Sequence, residues 1–223
     1  MCPLISTANV PLHKDPTDLT ACRDCPRLAS FLADVRRRHP DYHARPVLPF
    51  GDPAARLLIV GLAPGMHGAN RTGRPFTGDY AGILLYETLH AFGFASRPLS
   101  EHAEDGLRLT DCRITNAVKC LPPENKPEPA EIKICNHYLS SEMAAGREIQ
   151  VILALGLIAH KAVLMGLGLK QSALKFAHGA CHPLDGGRVL IDSYHCSRYN
   201  TQTRRLTSAD FRQVFELIRA RLA

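Results

Sequence analysis

Apolar residues along this chain fall into two rhythms. One short run, LLIVG (Leu57 to Gly61), is wholly apolar and ends in glycine, and three further strand candidates follow it: RITNAV (Arg113 to Val118), VILALG (Val151 to Gly156) and VLIDSYH (Val189 to His195). Continuous apolar runs of this length, closed by glycine or polar residues, predict strands buried on both faces. Between them the spacing turns helical. Ala81 to Phe94 sets Leu84, Leu85, Thr88, Leu89 and Phe92 on one face, and Pro129 to about Ala145 opens with a proline suited to a first turn. Leu157 to Leu167 is apolar nearly all round, as for a helix lying on a sheet. Ser208 reads as the cap of a last helix carrying Phe211, Val214, Phe215, Ile218 and Leu222. The alternation β-α-β-α-β-α-β-α predicts an α/β fold, with a central four-stranded parallel sheet flanked by helices. A single domain over residues 1–223 is expected. Residues 1–51, with scattered prolines and one helix from Pro26 to about His39, form an N-terminal extension packed on it.

Composition narrows the class. The chain has 223 residues and is 45% apolar, enough for one sizeable core. It has no run of about 18 apolar residues and no charged start followed by an apolar stretch, so a cytoplasmic protein without a membrane partner is expected. Lysine and arginine number 27 against 21 acidic residues, a net charge of +6 that favours a polyanionic partner. Arg71, Arg74, Lys119, Lys126, Arg198, Arg204 and Arg205 all fall in or beside the segments that follow the strands.

In open sheets of this type ligands bind beyond the carboxyl ends of the strands. Three such ends carry unusual polar sequence: Gly61 onward, Asn116 to Lys126, and His195 to Asn200. The first, GLAPGMHGANRTGRPFTGD, packs five glycines and two prolines into nineteen residues, so its backbone can approach a ligand closely. It lacks the G-x-x-x-x-G-K-[ST] and GxGxxG patterns, which argues against nucleotide hydrolysis and dinucleotide binding.

Eight cysteines in a reducing compartment point to metal or catalysis rather than disulfides. Cys22 and Cys25 form a C-x-x-C pair, and Cys120 and Cys135 follow with fourteen residues between them. On residue types alone, a structural zinc site and unliganded core thiols both stay open.

Four separated blocks carry a more specific likeness. The segment from Gly61 to Gly82 resembles the first motif of the uracil-DNA glycosylase superfamily, and HGANRTGRPFTGD within it resembles the prokaryotic type 5 branch. TNAVKCLPPENKP (Thr115 to Pro127) is similar to that branch's next block, and SYHCSRYNTQT (Ser193 to Thr203) to its histidine motif. With Cys22 and Cys25 the resemblance spans about residues 22 to 207.

The resemblance implies a monofunctional base-excision repair enzyme. It would flip uracil out of DNA and hydrolyse the base-sugar bond, leaving an abasic site. Cys22, Cys25, Cys120 and Cys135 would hold a [4Fe-4S] cluster of structural role. Phe76 would stack on the base, Gly61 and Leu62 would line its pocket, and Asn116 would read its Watson-Crick edge. His195 would hydrogen-bond the departing base, and Asp79 would activate water and stabilise the cationic sugar. Asp79 also precedes a helix, where a plain cap is the competing reading. Arg71, Arg74, Arg198, Tyr199 and Asn200 would contact DNA, and Phe176, His178 and Gly179 would line another edge of the cleft. Other branches place an acidic or amide residue two or three positions into the first motif, where this chain has Leu62 and Ala63. That departure shifts the burden to Asp79 and implies looser base selection, admitting hypoxanthine or xanthine. Cys196 stands where the histidine motif usually has proline. The protein is expected to act as a monomer, associated with the nucleoid through its DNA. A damage-recognising DNA-binding module with a four-cysteine metal site and no catalysis is the alternative.

Overall fold

The computed structural model describes residues 16–223; the start of the extension, with Cys2, lies outside the described residues. A 3-10 turn (Pro16–Ala21) leads into α1 (Pro26–Arg38), β1 (Phe50–Gly51), β2 (Leu57–Gly61), α2 (Ala69–Thr72), α3 (Tyr80–Ala91) and β3 (Cys112–Asn116). There follow α4 (Pro129–Ala145), β4 (Val151–Leu155), α5 (Leu157–Gly166), β5 (Cys181–Pro183), β6 (Val189–Ser193), α6 (Arg198–Gln202) and α7 (Ser208–Leu222).

The strands form one sheet in the order β1-β3-β2-β4-β6-β5. Its centre is the expected parallel set, β3, β2, β4 and β6. The sheet is nevertheless six-stranded, because β1 and β5 join antiparallel at its two edges. These edge strands are two and three residues long and only partly covered, so they carry no period-2 signal, and Pro183 is tolerated at an edge.

The continuous apolar runs have a direct cause. Leu57, Ile59, Val151, Leu153, Val189 and Ile191 pack with Leu85, Leu89, Phe211 and Phe215 of α3 and α7. The alternate residues Leu58, Val60, Ile152, Ala154 and Leu190 pack with Leu139 and Met143 of α4 and Val163 and Leu164 of α5. Both faces are covered, so neither can be polar. The last helix is capped by Thr207 rather than Ser208. Thr207 Oγ1 accepts from the Asp210 amide at 3.1 Å while the Asp210 carboxylate accepts from the Thr207 amide at 3.0 Å.

The extension is tied down where α1 crosses α4. Arg27 donates twice to Glu131, at 2.8 and 2.7 Å, a fork that fixes orientation as well as distance. Leu32 and Val35 of α1 then pack against Ala44 and Leu121.

Candidate functional site

The chain leaves β2 for β3 on one side and returns to β4 on the other, so a crevice opens at the carboxyl ends of these strands. A cavity of about 490 Å³ occupies it. Leu62 and Ala63 line it after β2, Phe76 and Asp79 at the far end of the first loop, Asn116 at the end of β3, and His195 and Arg198 after β6.

Phe76 is buried, 5% exposed, and its backbone is left-handed at φ 54°, a conformation that costs energy for an aromatic residue. Its ring lies 5.9 Å from that of His195, with 29° between the planes. Gly61 makes room for this arrangement. A Cβ there would sit 2.4 Å from Asn116 Oδ1 and 2.7 Å from the Phe76 ring. Asn116 itself is 4% exposed, and its Oδ1 is buried without a hydrogen-bond partner. A buried acceptor left unmet costs about 1–3 kcal/mol, and the residue that carries this one lines the cavity.

Asp79 uses its carboxylate in two directions. Oδ1 accepts from the Gly82 amide at 2.8 Å and so caps α3. Oδ2 lies over Gly68, where a Cβ would come within 2.6 Å of it. Burial pushes the Asp79 carboxyl above its ordinary range, and the amides of Gly82 and Ala81 partly restore it. His195 is driven the other way. Its enclosure pushes its pKa down to about 4, so the ring is neutral at neutral pH. Cys196 is wholly buried next to it, and burial followed by the nearby Asp79 charge holds its thiol protonated.

The basic residues divide. Arg71 is exposed at the end of α2, Arg198 is exposed with its guanidinium 5.8 Å from the Tyr80 ring, and Tyr199 is 70% exposed. Asn200 is half-buried and donates to the His195 carbonyl at 2.8 Å, bracing the histidine loop. Arg74, expected at the DNA surface, is instead 4% exposed and bonded to Asp105 at 2.6 Å and to Ser100 and Thr77. Lys119 is likewise interior, paired with Glu142 at 2.7 Å. Neither has a free charge to offer a phosphate. Phe176 and His178 also differ from expectation. They pack behind β6, where Phe176 meets His160 and His178 stacks on Tyr194, away from the cavity.

One wall escaped the sequence reading. Gly156, Leu157 and Ile158, after β4, line the cavity, with Leu157 47% and Ile158 38% exposed. The available signal was two large apolar residues directly after a strand-ending glycine, at the same end of the sheet as the other loops.

Cys22, Cys25, Cys120 and Cys135 line a second, small hollow between the extension and α4. The Lys119 amide donates to Cys135 Sγ at 3.3 Å. Burial and then the neighbouring Glu131 push Cys25 up to about 11, burial against the opposing charge and amide of Lys119 brings Cys135 to about 11, and burial with the neighbouring thiols pushes Cys120 further still. Without a cation Cys25, Cys120 and Cys135 stay protonated at neutral pH. Among the described residues, Cys112 and Cys196 are buried elsewhere and Cys181 is exposed.

Comparison with known proteins agrees with this geometry. The family model described as the uracil DNA glycosylase superfamily matches residues 48–219. A type-5 uracil-DNA glycosylase of Thermus thermophilus is 52% identical over 201 residues, covering 88% of this chain and 91% of the relative. A type-5 enzyme of Mycobacterium bovis is 42% identical, covering 88% and 76%. A type-4 uracil-DNA glycosylase of Archaeoglobus fulgidus is 31% identical, covering 90% and 89%. With a family match over most of its length and a strand-end cavity holding Phe76, Asn116 and His195, the chain belongs to the uracil DNA glycosylase superfamily.

Proposed function

We infer that this protein is a uracil-DNA glycosylase of the base-excision repair type. The observation that carries the reading is Asn116 Oδ1, a buried acceptor with no partner, beside the stacked rings of Phe76 and His195. A flipped uracil supplies what this wall lacks: a flat ring for Phe76 and an imide N–H for Asn116.

Bond cleavage places negative charge on the leaving base and positive charge on the sugar. Neutral His195 donates an N–H to the base oxygen as its charge grows, and its depressed pKa leaves this form in place across the physiological range. Asp79 supplies the anion. Its capping bond fixes the carboxylate, and Oδ2 stands over Gly68 for water or the sugar cation. Leu62 and Ala63 contribute no acid or base, so leaving-group stabilisation carries more of the barrier. An apolar wall there also discriminates less by hydrogen bonding, which supports hypoxanthine and xanthine as further substrates. Arg71, Arg198 and Tyr199 form the exposed DNA side, with Asn200 acting on it through the His195 loop. The protein acts on this DNA as a monomer and meets it in the nucleoid, with the described part of the extension, residues 16–51, serving as part of one domain.

The four cysteines of the second hollow suit a [4Fe-4S] cluster. Four soft sulfur donors from three segments face one space, and the amide bonded to Cys135 favours a thiolate there. A single tetrahedral zinc ion, with thiolates at about 2.3 Å, would bring the sulfurs to about 3.8 Å from one another. Among the described residues, the one group of three or more such ligand atoms within 4.8 Å is His160, His182 and Asp192, so the sulfurs stand wider than zinc requires. The cluster would supply a rigid joint between the extension and the strand end that carries Asn116, with no part in bond cleavage.

The test is a base-release assay on duplex DNA carrying uracil, hypoxanthine or xanthine, without added metal. Brown protein that frees uracil and leaves abasic sites is expected. Colourless protein that binds damaged DNA but releases no base would favour the binding-module alternative.

A further inference from the structure

A second set of metal-binding side chains lies behind β6, away from the cavity and the sulfur hollow. Asp192, on β6, is wholly buried, and among the described residues its ion-pair partners include no lysine or arginine. Its two oxygens face two imidazoles instead. His160 Nδ1 of α5 lies 2.8 Å from Oδ1, and His182 Nε2 of β5 lies 3.1 Å from Oδ2.

Hydrogen-bond logic restricts what holds them together. His160 Nε2 faces the Leu174 carbonyl at 3.1 Å, and a carbonyl cannot donate, so Nε2 carries the proton. In a neutral ring Nδ1 then presents a lone pair to the carboxylate. Two lone pairs at 2.8 Å repel, so the contact calls for a positive centre at Nδ1: a second ring proton, which makes His160 an imidazolium paired with Asp192, or a metal ion that takes the lone pairs. An N–H bonded to a backbone carbonyl is also the outer contact that orients metal-bound histidine.

We propose that His160, His182 and Asp192 form a binding site for a divalent transition cation of the zinc class. Two imidazoles and one carboxylate are a familiar zinc donor set that leaves a fourth position for water. The ligand atoms lie within 4.8 Å of one another, and tetrahedral coordination at about 2.0–2.1 Å asks for separations of about 3.4 Å. Small side-chain movements therefore close the site. The half-covered edge strand gives an entry path: His182 keeps 14% of its side chain exposed, while His160 and Asp192 keep 1% or less. The ion would pin β5 and β6 to α5, whose first residues Leu157 and Ile158 line the cavity.

The experiment loads the full-length protein, as purified, with Zn2+ at pH 7.5, removes excess, and measures the zinc gained per chain and thermal unfolding. Parallel samples carry His182→Gln, Asp192→Asn or, as a neighbouring control, Cys181→Ser. One tightly held zinc per chain is expected, with a raised unfolding temperature. The cysteine control should keep both, while His182→Gln and Asp192→Asn should lose the ion and the shift. His182 lies at the sheet edge, so its variant keeps the test decisive if Asp192→Asn does not fold. No zinc retained by the wild type, or zinc retained undiminished in His182→Gln, would overturn the site. The readout does not involve base release, so it stands or fails apart from the proposed activity.

Discussion

Gly61 and Asn116 end neighbouring parallel strands in register with each other, and the glycine's missing side chain is the space that the asparagine oxygen and the Phe76 ring occupy. Gly61→Ala would drive a carbon to within 2.4 Å of Asn116 Oδ1. One of the two side chains must leave its position. Because a displacement of about 1 Å can cost about 100-fold in rate, we expect single-turnover base release to fall by about that factor. The check compares rates with unfolding temperature, and a variant with full activity would show that the register is not needed.

Asp79 has two duties that one pair of substitutions separates. Asparagine is as good a helix cap as aspartate, so Asp79→Asn should leave stability close to wild type while removing the charge. Asp79→Ala removes both and should cost about 1 kcal/mol in addition. If the charge matters to the reaction, both variants lose rate alike, by about 100-fold or more, with DNA affinity little changed. Denaturant midpoints and single-turnover kinetics give the two readouts. Full activity in Asp79→Asn would leave only the cap.

His195→Gln should lower the single-turnover rate by about 100- to 1000-fold, the usual loss of one donor to a developing oxyanion. It also carries a pH signature. The folded pKa of about 4 is depressed below the unfolded value of 6.5, so folding disfavours the protonated ring. The stability owed to this residue is complete above 6.5 and lost as pH falls toward 4. Between those values wild type should lose more stability than His195→Gln, as denaturant midpoints at pH 7 and pH 5 would show.

Arg74 and Arg198 should respond oppositely to removal. Burial works against the Asp105 carboxyl, but Arg74 and the amides of Leu107 and Glu101 outweigh it and hold its pKa well below the ordinary range. Breaking this interior pair, 5% and 2% exposed, by Arg74→Met should cost about 3–5 kcal/mol and leave the salt dependence of DNA binding unchanged. Arg198→Ala should leave the fold intact and reduce the salt slope by about 1. Equal slopes in Arg198→Ala and wild type would remove Arg198 from the DNA surface.

These contrasts mark where sequence reading reaches and where it stops. The central strands were legible because burial on both faces leaves no polar position in Leu57–Val60 or Val151–Leu155. The strand ends and the glycine-rich segment marked where a site would lie, but the choice of Phe76, Asn116 and His195 within them rested on the resemblance to the uracil-DNA glycosylase superfamily. Arg74 was not legible, since its partner Asp105 lies thirty-one positions away and charge alone does not say which arginine is buried. Leu157 and Ile158 were missed for the converse reason: apolar residues in an apolar helix read as core, although these two face the cavity. Edge strands of two and three residues are too brief to show any period.

The stretch from Asn116 to Cys120 is short and almost wholly interior, and Lys119 within it is anchored to both Cys135 and Glu142 of α4. Chemical injury at the sulfur hollow is therefore not remote from recognition. A change at those sulfurs reaches the Asn116 amide through Lys119 and the two residues that separate it from Asn116.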